Sequence, residues 1–274
     1  MGLGTQIRMQ RVFNHPSGNL FGIAMDHFAS YGNFPLGSGL SDLGGSIREV
    51  MAARPDSMTL NIGAAKNFWP PFAARAALVI ETGMFTADDR LREIWTEPED
   101  AARLGADAVA VAIAVRGPHE GQYIRRLAEA VRKAEKLELP VFAHIYPRNY
   151  DGDVPFIEFT PEQIAWAVRV GIETGADVIK VGYPGDQQAF TEIVSWATVP
   201  VVVAGGPAAD TVEDALRYVR EALDAGAKGA VVGRNIWGDP DPVRVSRAYA
   251  AVIHDGKTPA NALSGAAAPP DRAV

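Results

Sequence analysis

Lys180 lies inside Asp177-Val178-Ile179-Lys180-Val181-Gly182-Tyr183, an apolar run that reads as a strand covered on both faces. An ammonium group there is costly unless it is paired or uncharged. By the two-residue alternation of a strand, Lys180 points with Val178 and Gly182 into the interior, and Gly182 leaves room above it. Desolvation or a neighbouring cation lowers a lysine pKa and frees the amine to attack a carbonyl carbon. The competing reading is a structural lysine paired to an inward carboxylate such as Asp26.

Further polar groups close other apolar runs: Asp26-His27, Asn61, Glu81, Arg116, His144 with Tyr146 and Arg148, and Tyr183. His144 and Tyr146 share one side of their strand. An acid, a phenol and an amine at one rim can move protons around an iminium carbon. Taken singly, each has an ordinary role: a buried tyrosine bonded to backbone, or an aspartate capping a helix. Gly205-Gly206 and Gly233-Arg234 each follow a late strand. Glycines let backbone N–H groups approach a phosphate, and Arg234 adds a charge-assisted contact. A metal centre would draw on His27 and His144 with Asp26 or Glu81. The histidines stand at 15, 27, 119, 144 and 254 without ligand spacing, so no metal is expected.

These groups need a scaffold that brings strand ends together. Eight runs read as strands: Phe21–Asp26, Ser57–Ile62, Ala77–Glu81, Ala108–Ala114, Pro140–Tyr146, Asp177–Tyr183, Pro200–Ala204 and Gly229–Gly233. Most are continuously apolar, as parallel strands covered on both faces are. Helical patterns lie between them. Thr160-Pro161-Glu162-Gln163 reads as a cap, an N1 proline and a capping-box glutamine, and Thr96-Glu97-Pro98 and Asp239-Pro240 as further starts. The helix read over Gln122–Leu137 has one apolar face. Leu104-Gly105-Ala106-Asp107, Thr174-Gly175-Ala176-Asp177 and Ala225-Gly226-Ala227-Lys228 each end a helix just before a strand. This alternation predicts a single-domain (β/α)8 TIM barrel over 21–256, with an N-terminal extension at 1–20 and a tail at 257–274 without fixed structure. A doubly wound open sheet would need a switch point and a Gly-rich first turn, and neither is evident.

Composition narrows the function. The chain has 274 residues, no cysteine and a formal charge of -7, which excludes disulfides, thiolate metal sites and a thiol nucleophile. No basic cluster or aromatic–basic interleaving points to nucleic acid, and Trp69, Trp95, Trp166 and Trp237 read as packing residues. No signal peptide or membrane span is read, and a cytoplasmic setting is expected.

Met25-Asp26-His27, Tyr146-Pro147-Arg148, Gly175 to Val181, Tyr183-Pro184-Gly185-Asp186, Ala204-Gly205-Gly206-Pro207 and Gly233-Arg234-Asn235-Ile236 occur in order. Together they resemble the class I aldolases of the archaeal fructose-bisphosphate aldolase type, within the deoxyribose-phosphate aldolase-like barrels. The resemblance implies a Schiff base on Lys180 and no other cofactor. It implies proton transfer by Tyr146, support from Asp26, and a phosphate held by Gly205, Gly206, Gly233 and Arg234. His27, His144 and Arg148, at strand ends, are placed with the substrate-binding groups. A phosphorylated ketone such as dihydroxyacetone phosphate is the implied donor and fructose 1,6-bisphosphate the default substrate. The implied assembly is a homo-oligomer, decamers included. Alternatives are a biosynthetic aldolase joining that donor to aspartate semialdehyde, on the amino-heptulosonate phosphate route to aminohydroxybenzoate, and a phospho-sugar thiolase. A metal-dependent barrel lyase and a phosphate-ester-binding barrel without turnover are further from the residues. The sequence departs from the family at Phe28, where a glycine is usual, in the bulky Ser30–Phe34 loop, at Ala208, where lysine is frequent, and across Asn149–Phe159.

Overall fold

The computed structural model describes residues 1–27, 39–206 and 209–266. The elements in order are α1 (Leu3–Val12), β1 (Leu20–Ala24), α2 (Leu43–Met51), β2 (Ser57–Asn61), α3 (Ile62–Phe68), a 3-10 turn Pro70–Phe72, β3 (Ala77–Glu81), α4 (Pro98–Leu104) and β4 (Ala108–Val115). They continue with α5 (Glu120–Glu135), β5 (Val141–Asp151), β6 (Val154–Ile157), α6 (Pro161–Thr174), β7 (Val178–Val181), α7 (Gln187–Ser195) and β8 (Val201–Ala204). Last come α8 (Val212–Asp224), β9 (Gly229–Val232), α9 (Arg234–Trp237), α10 (Pro242–Ile253) and α11 (Pro259–Ala266).

Eight parallel strands neighbour one another in the order β4-β3-β2-β1-β9-β8-β7-β5, and pairing of β4 with β5 closes the ring. The expected single-domain TIM barrel is present. β4 shows how the sequence sets its bore. Ala108-Val109-Ala110-Val111-Ala112-Ile113-Ala114-Val115 is buried throughout. Its alanines at 108 and 110 join the inner cluster with Leu20, Ala77, Phe142, Val178, Val202 and Val231, while Val109, Val111 and Ile113 pack outward under the helices. Small residues inside leave space in the upper barrel for long polar ones. Gly105 and Gly175 end α4 and α6 in the left-handed region, with φ of 86° and 83°, as expected of C-terminal caps.

Several local expectations are corrected. Pro259–Ala266, inside the segment read as structureless, forms α11. Thr258 accepts at the helix start, and Ala262 and Leu263 reach the core. α10 begins at Pro242 behind an Asp241 cap, not at Asp239-Pro240, because the Asp239 carboxylate accepts the Asp241 N–H. At α6 the Thr160 side chain makes no capping bond, and the Gln163 side chain, which would complete a capping box, accepts from Arg116 Nε at 2.7 Å. β5 runs beyond the barrel and folds back on β6, pairing Arg148 with Ile157 and Asp151 with Val154. That hairpin accounts for much of the unusual Asn149–Phe159 segment.

The extension before β1 is also ordered. α1 lies across the N-terminal end of the barrel, where Val12, with Met9 and Phe13, packs on the innermost layer. Its start is tied to the loop before β5, with Gly4 N donating to Glu138 Oε2 at 2.8 Å and Arg8 Nη1 to the Glu138 carbonyl at 3.1 Å. Among the described residues, no helix is long and apolar enough to cross a membrane. Phe28, the Ser30–Phe34 loop, Pro207, Ala208 and residues 267–274 lie outside the described residues.

Candidate active site

Among the described residues Lys180 is the only buried lysine, at 4% exposure. On β7 it stands in register with His144 of β5 on one side and Val202 of β8 on the other, and His144 is in register with Ala112 of β4. The alanine on that level makes room for the two long side chains. Among the described residues Lys180 has no ion pair and no hydrogen bond. The pairing with Asp26 that would make it structural is absent. The space above Lys180 credited to Gly182 is partly filled, because a Cβ there would lie 2.5 Å from the Phe159 ring. The glycine is what lets Phe159, just after the hairpin, lean over the barrel mouth.

Around the amine the strand ends gather a dry polar cluster. Asp26, Glu81 and His144 are fully buried and bring ligand-type atoms within 4.8 Å of one another. Glu81 Oε1 accepts from Gly83 N at 2.9 Å and Ala112 N at 3.1 Å, which fixes its carboxyl across the gap between β3 and β4. Its Oε2 lies 3.2 Å from His144 Nδ1. Burial outweighs those backbone bonds and the charge of Lys180, and pushes the Glu81 carboxyl up to about 7. Burial, then the Lys180 charge, holds His144 well below the ordinary imidazole range. His27 Nδ1 is 3.6 Å from Asp26 Oδ1, and burial carries that imidazole down to about 4 against the pull of Asp26. Both histidines are therefore neutral at physiological pH. Among the described residues the carboxylate oxygens of Asp26 have no hydrogen-bond partner. Buried polar atoms left in this state suit a polyhydroxylated ligand.

Tyr146 lies one strand repeat above His144 and is half-buried, with its ring stacked on Phe85 at 5.1 Å and 8°. Arg148 does not reach the site. Its Nε and Nη2 donate to the Arg116 carbonyl at 3.2 and 2.7 Å, and its Nη1 to the Ala87 carbonyl at 3.0 Å and Asp89 Oδ1 at 2.6 Å. The side chain is 1% exposed, so its expected place among the substrate ligands is replaced by a structural one. Arg116, at the end of β4, lies over the Trp166 ring at 4.8 Å.

The two late turns lie side by side. Side chains at Gly205 and Gly233 are excluded by Val232 and by His27, whose ring carbon would lie 2.6 Å from a Cβ on Gly233. Gly206 has φ of 78°. Asn235 ties the two turns together, donating to the Gly205 carbonyl at 2.8 Å and accepting from Ala209 N at 3.3 Å. Arg234 is exposed, and its charge is felt at His27. Trp237 Nε1 donates to the Ala24 carbonyl at 3.2 Å, and the Trp237 ring meets His27 edge-on. Asn235 and Phe159 enter the site although the sequence reading gave them no role there, and Glu81, read only as a strand-end acid and a possible metal ligand, joins them. A related signal, a charge closing an apolar run rather than lying inside one, was present at Glu81.

This arrangement agrees with comparison to known proteins. The model of the DeoC/LacD family aldolases matches residues 21–239. The chain is 31% identical over 270 residues, 95% of its length and 96% of the relative's, to a 2-amino-4,5-dihydroxy-6-oxo-7-(phosphonooxy)heptanoate synthase of Streptomyces griseus. It is 34% identical over 267 residues, 96% of each chain, to a 2-amino-3,7-dideoxy-D-threo-hept-6-ulosonate synthase of Halobacterium salinarum. A solved Schiff-base-forming fructose-1,6-bisphosphate aldolase superposes with a TM-score of 0.78 at 30% identity, covering 91% of this chain and 99% of that one. The chain belongs to the DeoC/LacD aldolase family and is a class I, Schiff-base-forming aldolase.

Proposed function

We propose that Lys180 carries the Schiff base and that the donor is a phosphorylated ketone of the dihydroxyacetone phosphate type. The free amine attacks the ketone carbon, the carbonyl oxygen takes a proton, and a carbinolamine forms. Loss of that hydroxyl as water leaves an iminium, which draws electrons from the neighbouring carbon. Tyr146 removes the proton there, and the enamine carbon attacks an aldehyde whose oxygen is protonated in turn. Water then releases the product and restores the amine. Asp26 receives a substrate hydroxyl. The Gly205-Gly206 and Gly233 turns with Arg234 hold the phosphate, which fixes the reacting carbon against Lys180. The observation that carries this reading is the burial of Lys180, alone among the lysines, unpaired in the barrel mouth. A phosphorylated donor also argues for a cytoplasmic enzyme, and the apolar Val154 and Phe156 on the exposed hairpin suit a homo-oligomer.

Two acceptors fit the same donor half. Glyceraldehyde 3-phosphate gives fructose 1,6-bisphosphate and needs a second phosphate site. Aspartate semialdehyde does not. The arginines at the ends of β4 and β5, Arg116 and Arg148, are held by the chain's own groups. That favours the second acceptor, in line with the names of the two synthases from Streptomyces griseus and Halobacterium salinarum.

The test is borohydride reduction with dihydroxyacetone phosphate followed by peptide mass mapping. A stable adduct is expected on the peptide containing Lys180 and none in Lys180→Met. An enzyme that turns over while showing no adduct there sinks the assignment. The same donor offered with each aldehyde identifies the acceptor.

A further inference from the structure

Glu81 and His144 form a pair whose arrangement exceeds what packing requires. One carboxylate oxygen of Glu81 is clamped by the backbone N–H groups of Gly83 and Ala112. The other, Oε2, lies 3.2 Å from His144 Nδ1. Oε2 and both ring nitrogens of His144 are buried, and among the described residues none has an aligned hydrogen bond. A small rotation of the imidazole would align Nδ1 with Oε2, as catalytic bonds commonly do only once substrate is bound. The opposite ring nitrogen, Nε2, belongs to a residue in register with Lys180.

We propose that Glu81 is a positioning residue: by donating or accepting at Nδ1 it sets which nitrogen of His144 carries the ring proton, and so whether Nε2 offers an N–H to the substrate oxygen beside Lys180. The inference rests on Lys180 being the Schiff-base residue. When Glu81 is a carboxylic acid, its O–H donates to Nδ1 and Nε2 is the donor. When Glu81 is a carboxylate, Nδ1–H turns to it and Nε2 is bare. The N–H form holds the ketone oxygen, and then the hydroxyl of the carbinolamine, while that group departs as water.

The two states exchange as Glu81 ionises, which burial places near pH 7. The other titratable groups facing the pair are Asp26 and His27 beyond β1 and Lys180 on β7. β4 and the turn after β3 present only backbone N–H groups. His27 titrates near 4, well below this window. The productive form is present below about pH 7 and is lost as pH rises through it.

Glu81→Gln separates this role from a structural one. An amide can still accept from Gly83 and Ala112, and its N–H donates to Nδ1 at every pH. In the wild type, kcat/KM is expected to carry a falling limb centred near pH 7. In Glu81→Gln that limb should flatten, leaving the variant about tenfold faster than wild type one unit above the midpoint. Nitrogen-15 NMR of the resting full-length protein reads the tautomer without reference to Lys180 chemistry. His144, identified among five histidines by its loss in His144→Gln, should show a bare Nδ1 and a protonated Nε2 at pH 6. Above pH 8 the pattern should reverse in wild type but not in Glu81→Gln. Should Glu81→Gln fail to fold, His144→Gln keeps an N–H near the place of Nε2 and should flatten the same limb. A bare Nε2 at pH 6, or an unchanged limb in a folded variant, overturns the proposal while leaving the borohydride result intact.

Discussion

Tyr146 shows how little a side chain must do once its place is fixed. Its ring lies flat on Phe85, so the hydroxyl has a limited range from which to reach a bound ketone. Replacing that hydroxyl leaves the amine chemistry untouched. Tyr146→Phe should therefore still be trapped by borohydride at Lys180, with kcat lowered by about 10²–10⁴-fold. Wild-type turnover in that variant would remove the phenol from the reaction. Lys180, His144 and Tyr146 were legible in the sequence because strand alternation places them on one inward side. Glu81 was legible only as an acid closing an apolar run, with no sign of what would hold it. Only the return of β4 beside it, with the Ala112 N–H, makes it a buried and clamped acid.

At the scale of elements, Arg148 is instructive. A cation after Tyr146-Pro147 reads as a substrate ligand, yet its oxygen partners come from Ala87, Asp89 and Arg116, far away in the chain. No local pattern announces them. The side chain staples the root of the β5–β6 hairpin to the loops after β3 and β4. Arg148→Met should lower unfolding free energy by about 3–5 kcal/mol, measured by urea titration, because Asp89 loses its buried partner. The KM for the donor should change little, whereas a large rise would return Arg148 to the substrate. The hairpin itself was obscured because Val154-Pro155-Phe156-Ile157 contains a proline, which suits only an edge strand. The barrel strands were plain, since apolar runs bounded by glycine caps admit few alternatives.

The whole molecule depends on both ends of the barrel. At the N-terminal end, Asp56 Oδ2 accepts from Phe21 N at 2.7 Å and lies 3.1 Å from His254 Nε2, while Ser17 joins the other nitrogen of that ring. This network fastens the chain between α1 and β1 to the end of α10. Removing residues 1–13 would uncover Leu20, Val178 and their neighbours where Val12, Met9 and Phe13 now lie. The expected loss is about 3–5 kcal/mol, read as a lower urea midpoint. An unchanged midpoint would show that α1 is only draped on the surface. No residue pattern announced this contact, because α1 is short and its apolar residues meet partners from several strands rather than one.

With α1 packed across its foot, the cylinder is approached from the mouth where Lys180 stands. Whatever is joined to the amine deep inside must arrive before the second reactant stands in the entrance, and the finished product must withdraw along the path by which both came in. On the proposed chemistry the order of addition follows: ketone first, aldehyde second.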